Sequence, residues 1–198
     1  ESEGKYIGFG VLESRDCCLW AQYIANRFGT DQKIILAGLS MGASTVLMAT
    51  AHHEDRRVRI NCSPEEPMEV SMTLPKNVTG IVADSAFSSP YDIIKKRIRT
   101  TYHCNGRLLT IAIGIWSRML AHYSLKELSV PDVMKHNTIP VLLVHGTEDS
   151  NVPVEMTVKI AENCQAPKQV LLVKGAEHGT GYLVDNEAYK KALQEFCS

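Results

Sequence analysis

The chain has 198 residues, of which 44% are hydrophobic and 22% charged, a composition typical of one folded globular domain. The formal net charge of −1 does not indicate electrostatic binding to nucleic acid or to an anionic membrane. No apolar run approaches the roughly 20 residues that a membrane-spanning helix needs, and no charged-then-apolar leader opens the chain, so we expect one cytoplasmic domain over residues 1–198.

The cysteines do not indicate a disulfide framework or a zinc site. The six of them are Cys17, Cys18, Cys62, Cys104, Cys164 and Cys197. None forms a C-x-x-C pair, and two adjacent cysteines are poorly placed for separate bridges. We therefore expect reduced thiols and no metal.

The first predicted elements are a helix and a strand. Apolar residues recur at helical spacing over residues 12–28, and the pattern ends at Gly29. A short continuous apolar run at residues 33–37 is typical of a strand covered on both faces. Similar runs recur at residues 78–83, 141–144 and 170–173, with helical patterns between several of them. This alternation predicts an α/β fold with a mostly parallel sheet flanked by helices.

Two segments interrupt the alternation. Apolar residues recur at every second position on either side of residues 63–67, a turn-like stretch with two prolines, which predicts an inserted β-hairpin within residues 52–76. The charged residues 52–57 are interpreted as a solvated helix end. Residues 88–136 carry helical patterns between two predicted strands and are interpreted as a helical cap.

The segment that points to chemistry is Gly38-Leu39-Ser40-Met41-Gly42, at the end of the first predicted strand. A serine hydroxyl is a weak nucleophile that needs an adjacent base, a group that orients this base, and hydrogen-bond donors for the oxyanion. A sharp turn from strand to helix would expose Ser40 and point the N–H of Met41 at the reacting carbonyl oxygen. We expect glycine at positions 38 and 42 because strand and helix approach too closely for a Cβ.

The partners of such a serine should follow later strands, the acid first and then the histidine. Asp149 follows the strand at residues 141–144, and His178 follows the strand at residues 170–173. We predict that Asp149 orients His178 and that His178 acts as the base for Ser40.

Other carboxylates and imidazoles remain open as alternatives. Glu148 lies beside the predicted acid, and Asp84 follows another predicted strand. His145 lies at a strand end, while His122 and His136 fall within the predicted cap, where we expect surface roles.

Together these motifs resemble the α/β-hydrolase fold, specifically the serine hydrolases whose acid loop reads HGTEDSNVP and whose histidine loop reads GAEHG. The resemblance implies hydrolysis of a carboxylic ester or a related acyl bond through an acyl-enzyme, without a cofactor, on a small-molecule substrate. It also implies a structural role for His145. Thioesters and peptides remain alternative substrates because the same triad cleaves all three.

One departure from this family is the short region before Ser40, which holds 39 residues with one predicted helix and one predicted strand. Members of the resembled fold place several more strands there, and a loop among them supplies a second oxyanion N–H. We therefore expect an N-terminally truncated domain, beginning near the segment Glu1–Gly4, in which the strand before Ser40 lies at a sheet edge. Loss of one oxyanion donor would lower the rate on the order of 100- to 1,000-fold.

The expected sheet edge has unpaired backbone groups, which favour association with a second copy or with a missing N-terminal piece. A catalytically impaired hydrolase that acts through this association is the rival hypothesis. A lyase or perhydrolase on the same fold is a further alternative.

Overall fold

A computed structural model describes residues 5–51, 57–60 and 68–198. The predicted start near Glu1–Gly4, the charged residues 52–56 and the hairpin turn around residues 63–67 lie outside the described residues. The elements in chain order are α1 (Val11–Phe28), β1 (Ile34–Leu39), α2 (Met41–Met48), β2 (Arg57–Ile60), β3 (Met68–Ser71), β4 (Val78–Asp84), α3 (Pro90–Tyr102), α4 (Arg107–Leu120), α5 (Val130–Met134), β5 (Val141–Gly146), α6 (Val154–Asn163), β6 (Lys168–Val173), α7 (Gly181–Val184) and α8 (Asn186–Cys197).

The main sheet has four strands in the order β1-β4-β5-β6, and every neighbouring pair is parallel. The carboxyl ends of all four strands therefore lie at the same end of the sheet. Helices lie in the connections between these strands, as crossovers between parallel strands usually require. The prediction of a parallel sheet flanked by helices is confirmed.

The hydrophobic core lies on both faces of this sheet. Ile81 and Leu143 belong to a large buried cluster with residues of α2, α5 and α6. Their chain neighbours Val82 and Leu142 belong to a second cluster with α8. Because successive side chains of a strand point to opposite faces, the two clusters are two helical layers with the sheet between them. The central strand β5 is buried along its whole length.

The two outer strands differ from the prediction of runs covered on both faces. In β1, half-buried and exposed residues alternate, and Ile35 and Leu39 are exposed. In β6 the same alternation leaves Val170 and Leu172 exposed. The expectation of full cover was wrong for β6, which lies at one edge of the described sheet, where helix cover is incomplete. The exposure in β1 agrees with the expected position of this strand at a sheet edge.

Local interactions define where the helices begin. The carboxylate of Glu13 accepts hydrogen bonds from the N–H groups of Gly8 (2.7 Å) and Gly10 (2.9 Å), which fixes the chain entering α1. Ser89 caps α3 by accepting a hydrogen bond from the N–H of Asp92 at 3.1 Å. Helix α1 ends at Phe28, because the next residue, Gly29, has a φ of 92°, which glycine adopts without steric strain.

The segment that was predicted as an inserted hairpin contains β2 and β3, which pair antiparallel as a separate two-stranded sheet. The segment that was predicted as a helical cap contains three helices. Two of these, α3 and α4, contact each other, whereas α5 contacts α2 and α6 and contributes Val130 and Met134 to the main core. Only α3 and α4 therefore have the position of a cap. Among the described helices, none combines the length and apolar character that a membrane crossing requires.

The buried strand β5 should carry much of the stability. We predict that Leu143→Ala lowers the free energy of unfolding by about 2–5 kcal/mol, because it leaves a cavity in the core. The matched variant Leu172→Ala removes the same atoms from a side chain that is 44% exposed and should cost less than about 1.5 kcal/mol. Urea unfolding of both variants measures the difference, and equal losses would contradict this description of the core.

The association that the sequence suggested stays a prediction, and β1 is the edge at which to test it. We expect the chain to form dimers or larger assemblies by multi-angle light scattering. Ile35→Lys, which places a charge on β1, should shift the mass towards the monomer, because a lysine on an edge strand opposes pairing. Val170→Lys on the opposite edge is the control. A monomeric mass of the unaltered chain would contradict the prediction.

Candidate active site

Ser40 lies between β1 and α2 in a strained turn. Its φ of 56° and ψ of −116° belong to a backbone region that costs a non-glycine residue about 1–3 kcal/mol. The turn is held by its surroundings, since the N–H of Ser40 donates to the carbonyl oxygen of Asp84 at 2.8 Å. One turn into α2, the hydroxyl of Ser44 is bonded to both backbone groups of Phe87 at 2.9 and 3.0 Å. Strand, helix and the loop after β4 thus fix the position of Ser40 together.

The two glycines beside Ser40 have different roles. A Cβ on Gly38 would lie 2.3 Å from the carbonyl carbon and oxygen of Gly42, so only glycine fits at position 38. A Cβ on Gly42 would meet nothing within 4 Å outside its own helix. The expectation that position 42 also lacks room for a Cβ was wrong. The close contact is between the Cβ position of Gly38 on the strand and the backbone of Gly42 on the helix. The Cβ position of Gly42 meets no atom of the strand.

The structure brings Ser40, His178 and Asp149 together although they are far apart in the chain. The Nε2 of His178 lies 2.8 Å from the Oγ of Ser40, and its Nδ1 lies 2.7 Å from the Oδ2 of Asp149. A proton on Nδ1, donated to the carboxylate, leaves the lone pair of Nε2 facing the serine hydroxyl. The Asp149 side chain is fully buried and the His178 side chain is 23% exposed.

The loop after β5 fixes the carboxylate of Asp149 through its own backbone. Its Oδ1 accepts hydrogen bonds from the N–H of Asn151 at 2.9 Å and of Val152 at 2.8 Å. These bonds satisfy a buried acceptor and fix the orientation of the carboxylate. A Cβ on Gly146 would lie 2.3 Å from the carbonyl oxygen of Ala176, so glycine lets this loop contact the histidine loop closely.

His145 is buried beside the acid. Its Nε2 lies 2.9 Å from the carbonyl oxygen of Val152, and its Nδ1 lies 2.7 Å from the hydroxyl of Thr157. Because a carbonyl oxygen only accepts, the proton belongs on Nε2, and in the neutral ring Thr157 donates to Nδ1. The same Nε2 is 3.2 Å from the Oδ2 of Asp149, so His145 also contacts the acid directly.

The alternative carboxylates and imidazoles have other surroundings. Glu148 is exposed. Asp84 is buried and accepts hydrogen bonds from the hydroxyls of Ser85 at 2.9 Å and Tyr189 at 3.0 Å. Burial, followed by the negative charge of Asp84 and by this hydrogen bond, raises the pKa of Tyr189. His122 and His136, both in the segment that the sequence predicts as a cap, are exposed.

A cavity of about 700 Å³ opens beside Ser40 and His178. Its wall is mainly apolar and comes from the loops at the carboxyl end of the sheet and from α3 and α4. The lining side chains include Phe9, Met41, Phe87, Ile94, Ile98 and Leu109. Met41 is the first residue of α2, where N–H groups have no partner within the helix. Such a cavity suits an acyl or aromatic group of modest size.

Sequence reasoning missed three residues of this site. Asn151 and Val152 hold the acid through backbone N–H groups, and their spacing of two and three residues from Asp149 is the usual signal of an aspartate turn. Arg97 of α3 lines the cavity, and nothing in its local sequence indicated that position. Within the described parts of the chain, no group of three or more His, Cys, Asp or Glu side chains is placed to hold a metal ion.

Comparison with protein families gives a match of residues 14–164 to the model described as BD-FAE. These residues include Ser40 and Asp149. Among curated proteins, the uncharacterized protein YqkD of Bacillus subtilis is 24% identical over 196 residues, which is 99% of this chain and 58% of YqkD. The chain thus spans little more than half the length of this relative.

Solved structures with the same architecture include two esterases. The Pyrococcus furiosus esterase Pf2001 has a TM-score of 0.65 and 20% identity, covering 99% of this chain and 65% of that one. The esterase Est2 of Thermogutta terrifontis has a TM-score of 0.58 and 21% identity, covering 92% of this chain and 59% of that one. The α/β-hydrolase fold that the motifs implied is confirmed.

The different surroundings of the two glycines predict opposite effects of the same substitution. Gly38→Ala should lower the free energy of unfolding by more than about 3 kcal/mol, because strand and helix must separate to admit the Cβ. Gly42→Ala should be neutral or stabilising by up to about 1 kcal/mol, since alanine favours the helix and meets open space. Urea unfolding checks both, and similar values for the two variants would refute the geometry of this turn.

Proposed function

The chain belongs to the BD-FAE family, and on this basis we propose that it is a serine hydrolase that cleaves a carboxylic ester through an acyl-enzyme on Ser40. The observation that carries the proposal is the unbroken chain of contacts from Ser40 Oγ to His178 Nε2 at 2.8 Å and from His178 Nδ1 to Asp149 at 2.7 Å. It lies at an apolar cavity large enough for a small acyl ester. The chemistry needs no cofactor.

In the first half-reaction Ser40 Oγ attacks the carbonyl carbon of the ester while its proton passes to His178 Nε2. The imidazolium that forms is stabilised by the buried carboxylate of Asp149, which two backbone N–H groups hold in place. The tetrahedral intermediate collapses when His178 returns the proton to the leaving alcohol. Ser40 then carries the acyl group.

The negative charge that develops on the carbonyl oxygen needs donors. In our proposal the N–H of Met41 is one of them, because the first N–H groups of α2 point out of the helix and carry its positive dipole end. Each such donor contributes about 100- to 1,000-fold to the rate.

In the second half-reaction water replaces the alcohol. His178 removes a proton from the water, the hydroxide attacks the acyl carbon, and the proton moves on to Ser40 as the acid product leaves. The His178 side chain is 23% exposed, so in this proposal water reaches the imidazole from solvent. We favour an ester over a thioester or a peptide by analogy with the esterases of the same fold.

Hydrolysis of a short-chain p-nitrophenyl ester tests this proposal. We expect Ser40→Ala to lower kcat/KM at least about 1,000-fold, because without the hydroxyl no acyl-enzyme forms. Ser198→Ala removes a hydroxyl beyond the end of α8 and should leave the rate unchanged. Equal rates in the unaltered chain and in Ser40→Ala would contradict the proposal and favour the catalytically impaired hydrolase.

A further inference from the structure

The cavity beside Ser40 contains one unexpected group. Of the described residues that line it, most are apolar, and Arg97 alone carries a permanent positive charge. It extends from α3, and its guanidinium lies near Asn151 of the loop after β5. Arg97 is exposed, so its guanidinium can contact both water and a ligand that enters the cavity.

Protein contacts use little of the hydrogen-bonding capacity of Arg97. Its Nη1 donates to the side-chain oxygen of Asn151 at a long 3.3 Å, and a guanidinium has five N–H groups to donate. Among the ion pairs of the described residues, none includes Arg97. The guanidinium therefore has donors to spare at the cavity wall.

The preceding residue of α3, Lys96, increases the positive charge there. The ammonium group of Lys96 donates to the backbone carbonyls of Ser150 and, at 2.8 Å, Asn151. Desolvation first, and the positive charge of Arg97 second, lower the pKa of Lys96, while the charge of Asp149 opposes the shift. Lys96 is thus committed to the acid loop, and its charge and that of Arg97 repel each other.

We propose that Arg97 binds a carboxylate of the substrate, so that the preferred ester has an acyl chain ending in a carboxylate. This inference rests on the proposed esterase function. The chain of the acyl group would lie along the apolar wall formed by residues such as Ile94 and Ile98, with its carbonyl at Ser40. A guanidinium binds a carboxylate through two parallel hydrogen bonds, which gives both attraction and orientation.

Matched substrates separate this role from general support of the site. The pair is p-nitrophenyl hexanoate and p-nitrophenyl hydrogen adipate, which share a chain length and differ in the terminal carboxylate. We expect Arg97→Gln to lower kcat/KM for the adipate ester about 10- to 100-fold, mainly through KM, and to leave the hexanoate ester unchanged. Arg97→Lys should keep part of the preference, and high salt should weaken it in the unaltered chain.

A control variant lies on the same helix. Arg99 is also exposed but lines a different hollow, with Lys95 and His103. Arg99→Gln changes the net charge by the same amount as Arg97→Gln and should leave kcat/KM for both esters unchanged. If Arg97→Gln slows both esters equally, Arg97 only supports the acid loop, and the proposal is overturned. If Arg97→Gln and Arg99→Gln lower kcat/KM for the adipate ester equally, the effect comes from the overall charge of the protein, and the proposal is again overturned.

A binding measurement keeps this inference distinct from the proposed catalysis. Both esters are titrated calorimetrically into Ser40→Ala and into the double variant Ser40→Ala/Arg97→Gln, neither of which needs to turn over. We expect tighter binding of the adipate ester to Ser40→Ala and loss of that preference in the double variant. Equal affinities for the two esters would overturn the Arg97 inference even if Ser40 proves to be the nucleophile. A clear preference would support it even if the chain hydrolyses neither ester.

Discussion

The close contact between β1 and α2 is the constraint on which the site depends. At Gly38 the strand approaches the helix backbone so closely that any side chain would overlap with Gly42. The chain can turn within one residue only because of this approach, and that residue, Ser40, takes a positive φ. The strain is held by elements that are themselves buried, since six of the eight residues of α2 lie in the core. Buried residues thus fix the position of the Ser40 side chain.

Parallel topology supplies the other two residues. The strands β1, β5 and β6 all terminate at one end of the sheet, so the loops that follow them meet there although Ser40 and His178 lie 138 residues apart. The loops are then aligned by local contacts. Backbone N–H groups bind the carboxylate of Asp149, and the buried imidazole of His145 contacts it. The absence of a side chain at Gly146 allows the acid and histidine loops to contact each other. Each residue of the candidate triad has its own local support.

Much of this arrangement could be predicted from the sequence, because it follows from short-range patterns. Apolar runs and helical spacing gave the strands and helices, and the order of Ser40, Asp149 and His178 at strand ends gave their proximity. The predictions that were wrong concern residues whose surroundings depend on neighbouring elements, which the local sequence pattern does not specify. The exposure of Val170 follows from the position of β6 at the other edge of the sheet, and the open space around Gly42 follows from the direction in which its Cβ would point. Arg97 reaches the cavity because α3 packs over it, which its local sequence does not encode.

The central claim is that Ser40 is activated by the imidazole beside it, and covalent labelling tests it most directly. A fluorophosphonate reacts with an activated serine whatever the natural substrate, so the result does not depend on the choice of ester. Peptide mapping by mass spectrometry after labelling should find a single phosphonylated residue, Ser40, and His178→Ala should abolish the label. Labelling of another serine, or no label under conditions where the chain is folded, would contradict the account.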